Sequence, residues 1–288
     1  MDSYLNIVDQ VLLQGTKKES RTGDHTLSVP GTLFKHDWEE GFPLVTTKYI
    51  PYHLVASELE FFIQGYTDKK WLQDRDNHIW DDWCNPQKVP YGHDEQTKKK
   101  MKEERDLGPI YGFQWRHFGA DYKGYEADYD GQGVDPLEEV VNMIHDNPSS
   151  RRMKVSAWNP EQVDQMALPP CHTGFQVIVN EEKLDLVWEQ RSVDVMLGLP
   201  FNIASYGSLQ HLLCEQTGYE PGTLTGLLGD THIYDDHIEG AKKQVQRTPL
   251  DLPQIETKQF TSLFEWEYTD TIIIGYEHHP HISFDIAV

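Results

Sequence analysis

The stretch TGFQVIVNEEKLDLVWEQ, residues 173–190, decides the fold class of this chain of 288 residues. Apolar and polar residues alternate on both sides of the polar run NEEK, a pattern typical of two antiparallel strands joined by a tight turn. Upstream, MKVSAW (153–158) has the β-branched and aromatic residues of a further strand, and so does TLTGLLGDTHIY (223–234) downstream. We therefore expect a β-sheet in this half of the chain.

Segments with helical periodicity lie around these strands. They are MDSYLNIVDQVLLQG (1–15), IPYHLVASELEFFIQ (50–64), PLEEVVNMIHDNP (136–148) and NIASYGSLQHLLCEQTG (202–218). Residues 26–47 are rich in β-branched and apolar residues broken by PG and GFP, which indicates strands joined by turns. The pattern predicts an α+β fold: a single domain over residues 1–288, with a large mixed β-sheet flanked by helices.

Residues 84–106 differ from the rest of the chain because they are polar, highly charged and almost without large aliphatic side chains. We interpret them as a charged surface insertion rather than a linker between domains.

The charge and cysteine content exclude several classes of protein. There are 25 basic and 47 acidic residues, a formal charge of -22, which makes nucleic acid an unlikely partner and opposes binding to an anionic membrane. Three cysteines cannot form a closed set of disulfides, and the chain has neither a basic leader nor eighteen consecutive apolar residues. We expect a cytoplasmic protein with no membrane segment.

Cys171 is the cysteine whose surroundings favour chemistry. Cys214 lies on the apolar face of a predicted helix and is interpreted as a core residue, and Cys84 receives no role. Two prolines precede Cys171 and fix its backbone, and His172 follows it. A thiolate is the best side-chain nucleophile at neutral pH, so Cys171 is either a catalytic nucleophile or a structural cysteine at a rigid turn.

Four arginines stand beside Ser, Thr or Gly at predicted turns or strand ends: Arg21, Arg151, Arg152 and Arg191. A guanidinium flanked by hydroxyl groups is suited to bind a phosphate. Each arginine could instead pair with one of the many surface carboxylates, and the sequence leaves both interpretations open.

Four other residues could complete a site. Asn202 begins an apolar helix, either as a cap or as an amide that reads a uracil-like edge. One of Glu58 and Glu60 must face inward, and a buried glutamate is a candidate general acid or base. His232 and Tyr234 alternate on one strand face, suited to a sugar hydroxyl. The histidine spacing does not favour zinc, so no metal is predicted.

Several runs together resemble the folate-dependent thymidylate synthase family over nearly the whole chain. They are RTG (21–23), GFPLVTTK (41–48), SELEFFIQG (57–65), IWDDW (79–83), LGPIYGFQWR (107–116), SSRRMKVSAWNP (149–160), MALPPCH (166–172), QRSVD (190–194), LGLPFNIASY (197–206), GDTHIY (229–234) and IAV (286–288). The resemblance implies reductive methylation of dUMP to dTMP by 5,10-methylenetetrahydrofolate, the cosubstrate, through a Cys171 adduct at C6. It also implies a homodimer joined through a face of the sheet, with Arg151 and Arg152 acting across the interface.

The same resemblance implies a role for each matching position. The catalytic residues would be Cys171, Glu58, Tyr111, Asn202, Arg191 and Asp194. The dUMP would be bound by Arg21, Arg151, Arg152, Gln190, Arg191, Ser192, Asp194, Asn202, His232 and Tyr234. The folate would be bound by Lys48, Ile79, Trp80, Trp83, Asp194, Phe201 and Val288.

The chain departs from the pattern of the family at Val193, at Leu228, in IPY (50–52) and in the ending SFDIAV, which affects folate affinity and closure of the C-terminal tail. Two alternatives remain: a dUMP hydroxymethylase, in which water replaces hydride, and a non-catalytic nucleotide-binding or RNA-binding protein. The charge of -22 opposes RNA binding.

Overall fold

A six-stranded mixed sheet forms the frame of the structure, a computed structural model that describes residues 1–19, 25–258 and 260–284. Its strands are β1 (Thr16–Glu19), β2 (His25–Asp37), β3 (Lys154–Ser156), β4 (His172–Asn180), β5 (Lys183–Asp194) and β6 (Glu220–Tyr234), in the spatial order β1-β2-β6-β5-β4-β3. Neighbours are antiparallel except β5 and β6, which are parallel. A small second sheet pairs β7 (Gln254–Thr257) with β8 (Thr271–Ile274).

Helices connect and cover the strands. They are α1 (Asp2–Gln14), α2 (Tyr52–Ile63), α3 (Lys70–Gln73), α4 (Glu95–Glu103), α5 (Tyr111–His117), α6 (Pro136–Asp146), α7 (Gly198–Thr217) and α8 (Ile238–Val245). Short 3-10 helices cover Trp38–Glu40, Val163–Gln165, Asp235–His237, Leu263–Glu265 and Tyr268–Asp270. The long helix α7 is the crossover between β5 and β6, as a parallel pair requires.

The two faces of the sheet differ in burial. Phe34, Trp188 and Leu224 point to the face on which α1 and α7 pack, and each is 0% exposed. Leu33 and Leu227 are partners across β2 and β6 on the opposite face, and they remain 56% and 46% exposed. Among the described residues, therefore, the helices bury one face of the sheet and leave an apolar strip on the other.

The predicted α+β fold with a large mixed sheet flanked by helices is confirmed. The central hairpin forms as predicted, with β4 ending at Asn180, β5 beginning at Lys183 and Glu181 in the left-handed region at φ 54. The prediction of strands as far as Thr47 is wrong beyond Asp37. Gly41 has φ 111, and the Phe42 N–H donates to the Pro253 carbonyl (2.8 Å), so this run is buried irregular chain held by distant partners.

The charged insertion, residues 84–106, contains more structure than its composition suggests. It includes helix α4, capped by the Asp94 side chain, and it buries Cys84, Asn85 and Met101. Its two ends meet where the Asn85 N–H donates to the Asp106 carbonyl (2.7 Å). The assignment of 1–288 to one domain stays a prediction. In the described part of the chain, no helix is both long and apolar enough to span a bilayer.

Candidate active site

The turn that carries Cys171 is fixed from two sides. The Cys171 N–H donates to the Tyr111 hydroxyl (2.8 Å), and its carbonyl accepts the Arg191 N–H (2.8 Å). The Arg191 guanidinium donates to the carbonyls of Pro169 and Pro170, at 2.8 Å each. These bonds hold the thiol at the start of β4 in a rigid position, which a reactive group needs.

Burial, the Arg191 charge and the Asp194 charge act together on the thiol. Burial raises the pKa of Cys171, Arg191 lowers it, and Asp194 raises it again, with a net pKa above the ordinary value. Arg191 thus favours the thiolate, but burial outweighs its effect on the pKa. The resting thiol is therefore protonated at neutral pH, and it needs a further cation or a base before it can attack.

An aromatic wall supports the same turn. The His172 ring stacks on Tyr111, with centroids 4.2 Å apart, and its Nδ1 lies 2.8 Å from the Tyr206 hydroxyl. Burial lowers the pKa of His172 to about 3, so the imidazole is neutral. It is therefore a fixed polar spacer between Tyr111 and Tyr206 rather than a cation.

Gln190 orients Asn202. The Gln190 amide donates to Asn202 Oδ1 (3.0 Å) and to the Ser192 carbonyl (3.1 Å), and its own oxygen accepts the Trp188 indole N–H (3.1 Å). Among the described residues, the Asn202 Nδ2 has no hydrogen-bond partner. Because Oδ1 is fixed toward Gln190, the amide is presented with one donor available.

Asp194 ends β5 opposite His232 of β6, as their register pairing places them. One carboxylate oxygen accepts the N–H groups of Met196 and Leu197, at 3.0 Å each, which orients the first turn toward α7. The His232 and Tyr234 rings lie 5.3 Å apart on the same face of β6, as the sequence predicts.

Lys48 lies close to Asp194, but it is buried rather than at the rim. Its ammonium donates to the Met196 carbonyl, and the Phe284 ring lies 4.7 Å from Nζ. Burial lowers the pKa of Lys48 to about 8, while Asp194 opposes this shift. Contact with an anionic ligand would therefore require the side chain to leave the carbonyl of Met196.

Both glutamates of α2 face protein, for different reasons. The Trp80 indole N–H donates to Glu58 Oε1 (2.7 Å), and burial raises the pKa of Glu58 to about 7 against the effect of this bond. Glu60 instead accepts the Tyr268 N–H (2.7 Å), which is a structural contact. Glu58 is thus the glutamate with the properties of a general acid or base at neutral pH.

Aromatic and aliphatic side chains surround Glu58. The Trp80 and Trp83 rings lie 6.3 Å apart with their edges facing, and Trp80 is 6.1 Å from Tyr111. Ile79 and Phe201 are partly buried against the same core. Trp80, Trp83 and Tyr111 form an apolar wall that reaches the Cys171 turn through Tyr111.

Among the described residues, three of the four arginines are not paired with carboxylates. Arg151 and Arg152 are exposed on the turn before β3, and within the described residues neither guanidinium has an ion-pair partner. The Arg191 guanidinium donates to the two proline carbonyls and lies 5.3 Å from the Trp158 ring. In the part of the chain that the structure describes, these three arginines therefore form no surface ion pair, and their binding of a phosphate stays a prediction; Arg21 lies outside the described residues, as does Val288.

The chain is similar to known proteins over its whole length. The family model described as thymidylate synthase matches residues 2–288. The chain belongs to the thymidylate synthase family. It is 42% identical over 300 residues to the thymidylate synthase of Mycoplasma genitalium, covering 100% of both chains.

Two further relatives are longer than this chain. It is 40% identical to the bifunctional dihydrofolate reductase-thymidylate synthase of Paramecium tetraurelia, covering 100% of this chain and 61% of the relative. It is 43% identical to that of Leishmania major, covering 99% of this chain and 55% of the relative. The chain therefore spans a little over half of the length of these bifunctional proteins.

The sequence did not indicate that Tyr206 belongs to the site, nor that His172 lies between Tyr111 and Tyr206. Tyr206 lies one helical turn after Asn202, and this spacing puts both side chains on one face of α7. That i, i+4 relation is the signal that could have found Tyr206. The structure brings Cys171, Tyr111, Arg191 and Glu58 together, whereas it leaves Arg151 and Arg152 beyond β4, at the edge of the sheet.

Proposed function

We propose that this chain converts dUMP to dTMP by reductive methylation with 5,10-methylenetetrahydrofolate, giving dihydrofolate. The observation that carries the proposal is the fixed Cys171 turn, clamped by Arg191, beside the oriented amide of Asn202 and the neutral-pH acid Glu58. A nucleophile, an anion-binding cation, a donor for a carbonyl and a proton carrier are the groups that this chemistry needs.

Covalent addition starts the reaction. The Cys171 thiolate adds to C6 of the uracil, the C5–C6 double bond breaks, and its electrons move toward the C4 carbonyl, which makes C5 nucleophilic. The Asn202 Nδ2 donates to a pyrimidine carbonyl and stabilises the charge that develops there. The proton of Cys171 would pass to Glu58, whose pKa of about 7 lets it accept a proton near neutral pH, while the Arg191 charge stabilises the thiolate.

Glu58 and Tyr111 handle protons at the pyrimidine. A pKa of about 7 allows Glu58 to give and accept a proton near neutral pH. The Tyr111 oxygen accepts the Cys171 backbone N–H, which holds the hydroxyl at the Cys171 turn, and from there it would assist removal of the C5 proton. The pKa of Tyr111 is raised well above its usual value, chiefly by burial, so it acts as a neutral hydroxyl.

The folate would supply the methylene group and the hydride, and the bond between C6 and the Cys171 sulfur breaks as the methylene accepts the hydride, which releases the thiolate and dTMP. Asp194 would bind the pterin, while Ile79, Trp80, Trp83 and Phe201 would pack around it, with Lys48 and Val288 at its outer parts. The partly buried wall around Glu58 supports this assignment, because it excludes water from a methylene that must accept hydride first.

Arg191, Ser192 and Arg21 would hold the phosphate within one subunit, with Gln190 behind them and His232 and Tyr234 on the deoxyribose. Arg151 and Arg152 would reach the same phosphate from a second copy of the chain. Neither arginine has a carboxylate partner among the described residues, although this acidic chain has many carboxylates. Their charges, unpaired in that part of the chain, support a role in binding the phosphate of the second copy. The apolar strip at Leu33 and Leu227 supports a homodimer through that face of the sheet.

One assay tests the reaction. Purified chain is incubated with dUMP and 5,10-methylenetetrahydrofolate, and the absorbance rise of dihydrofolate is followed while dTMP is identified by mass. The proposal expects both products in equal amounts. Tetrahydrofolate with hydroxymethyl-dUMP would instead assign the chain as a hydroxymethylase, and the absence of any turnover would contradict both.

A mixing experiment tests the shared site. Chains with Cys171→Ser and chains with Arg151→Ala and Arg152→Ala are each expected to be inactive alone. Unfolded and refolded together, they should recover activity, because one site of each mixed dimer is then complete.

Leu227→Glu should lower the mass measured by sedimentation. A monomeric wild-type chain with full activity would contradict the homodimer.

A further inference from the structure

The buried ammonium of Lys69 joins three distant parts of the chain. Lys69 is 1% exposed, and its Nζ donates to the carbonyls of Asp81 (2.9 Å), Trp83 (2.8 Å) and Met101 (2.8 Å). All three N–H groups of the ammonium are therefore used. Within the described residues, no carboxylate lies within ion-pair distance of Lys69.

Burying an unpaired lysine is costly, and an apolar side chain would fill the same space at a lower cost. Three charge-assisted hydrogen bonds offset this cost, and they join α4 to the turn of Asp81 and Trp83 inside the protein, where the Lys102–Asp81 ion pair joins the same two segments at the surface. The stem of Lys69 is fixed too, since its backbone N–H donates to the Arg105 carbonyl (3.0 Å). The residue thus acts as a rigid three-way connector.

Two of the three carbonyls belong to the turn that carries the wall of the site. The Trp83 N–H donates to the Trp80 carbonyl (3.2 Å), and the Trp80 indole N–H donates to Glu58 (2.7 Å). The third carbonyl, of Met101, lies in α4 of the charged insertion. A continuous chain of hydrogen bonds therefore runs from the insertion through Lys69 to Glu58.

We propose that Lys69 is a positioning residue, which holds the turn of residues 79–83 so that Trp80 stays bonded to Glu58 and Trp83 stays in the apolar wall. It touches no substrate. The insertion, residues 84–106, then stabilises the apolar wall through the bond between Met101 and Lys69, in addition to covering part of the surface. The part that concerns folate rests on the proposed function; the part that concerns the turn does not.

The test replaces Lys69 by Met, which keeps the unbranched stem and removes the charge. Lys70→Met is the matched control, because Lys70 is exposed and its ammonium pairs with Asp74. Protein labelled with 5-fluorotryptophan is observed without ligand, and signals are assigned with Trp80→Phe and Trp83→Phe. We expect the Trp80 and Trp83 signals to shift or broaden in Lys69→Met, while the core residue Trp188 is unchanged and Lys70→Met matches the wild type.

Kinetics then separate positioning from stability. We expect Lys69→Met to raise KM for the folate about tenfold, with KM for dUMP changing less than about twofold. A variant with lower Tm but unchanged fluorine signals and unchanged folate KM would overturn the proposal. If Lys69→Met does not fold, Lys69→Arg, which keeps the charge but cannot match three converging carbonyls, is held to the same two readouts. Failure of the wild type to make dTMP would reject the proposed function and leave the fluorine result standing.

Discussion

The two halves of the candidate site are held in different ways. Cys171 stands directly before β4, and Arg191 and His232 stand on β5 and β6, where strand register and backbone hydrogen bonds fix them. Glu58 and Trp80 stand on α2 and a turn, where single side-chain bonds such as the indole N–H to Glu58 fix them. The first half should therefore tolerate loss of one contact with its geometry intact, whereas the second should move.

Replacement of Cys171 tests the half built on the sheet most strongly. Cys171→Ser keeps the size and the backbone bonds to Tyr111 and Arg191 but offers a hydroxyl that is not ionised at neutral pH. We expect turnover to fall by roughly a thousandfold or more, while dUMP still binds. Rates of dihydrofolate formation and the heat of dUMP binding measure the two effects.

The matched control is Cys214→Ser, at a thiol in the core of α7 that the mechanism does not use. It should lower stability and leave turnover per folded molecule near the wild type. A Cys171→Ser chain with wild-type turnover would reject the nucleophile, and one that no longer binds dUMP would show that the turn is not held by its backbone.

The pH dependence of stability tests the second half. Because the folded pKa of Glu58 is about 7, above its ordinary value of 4.5, the folded state holds a proton that the unfolded state releases. The stability linked to this proton is complete below pH 4.5 and is lost as the pH rises through 7. We expect Glu58→Gln to remove a decrease of up to about 3 kcal/mol in the free energy of unfolding between pH 4.5 and 8.

Urea unfolding at a series of pH values measures this effect, with Glu139→Gln on the exposed face of α6 as the control. The difference between wild type and Glu58→Gln should grow with pH, and the control should run parallel to the wild type. Equal pH dependence in all three chains would mean that Glu58 ionises at its ordinary pKa and cannot act as an acid at neutral pH.

Arg191 joins nucleophile and phosphate in one residue. Arg191→Lys keeps the charge but loses the planar fork that reaches the carbonyls of Pro169 and Pro170 together. We expect kcat/KM for dUMP to fall about thirtyfold, a smaller loss than for Cys171→Ser because the strand bond to the Cys171 carbonyl remains. Arg105→Lys, at a surface pair with Asp68, should change it by less than about twofold. An unchanged Arg191→Lys enzyme would show that charge alone suffices.

The same contrast between register and single bonds explains what the sequence could predict. Alternation and turn residues predict β4, β5 and β6, and with them the neighbourhood of Cys171, Asp194 and His232, because strand pairing converts a local pattern into position. The family resemblance added the roles, which spacing alone does not give.

Single long-range bonds leave no local signal. The bond between Glu60 and Tyr268 joins residues 208 positions apart. The sequence therefore predicts that one glutamate of α2 faces inward, but it does not predict that both glutamates have partners in the protein. Lys69 is similar, because a lysine beside Lys70 in a polar run has the composition of surface chain. The same reason explains the error after Asp37, where the sequence predicts strands joined by a turn at GFP but the partner of Phe42, Pro253, is far along the chain.

The smallest expected effect isolates the bond between Trp80 and Glu58. The indole N–H lowers the pKa of Glu58, against the larger effect of burial, so Trp80→Phe should raise this pKa further, by about one pH unit. Carbon-13 NMR of labelled glutamate in the ligand-free protein follows the titration, with Trp83→Phe as a control that removes an indole without that bond. If the pKa of Glu58 fell instead, water would have entered the space left by the indole. The burial of Glu58 by Trp80, rather than its hydrogen bond to Trp80, would then determine the pKa of Glu58. That outcome would extend the contrast between the halves, because the wall would then depend on the volume of one side chain as well as on its single bond.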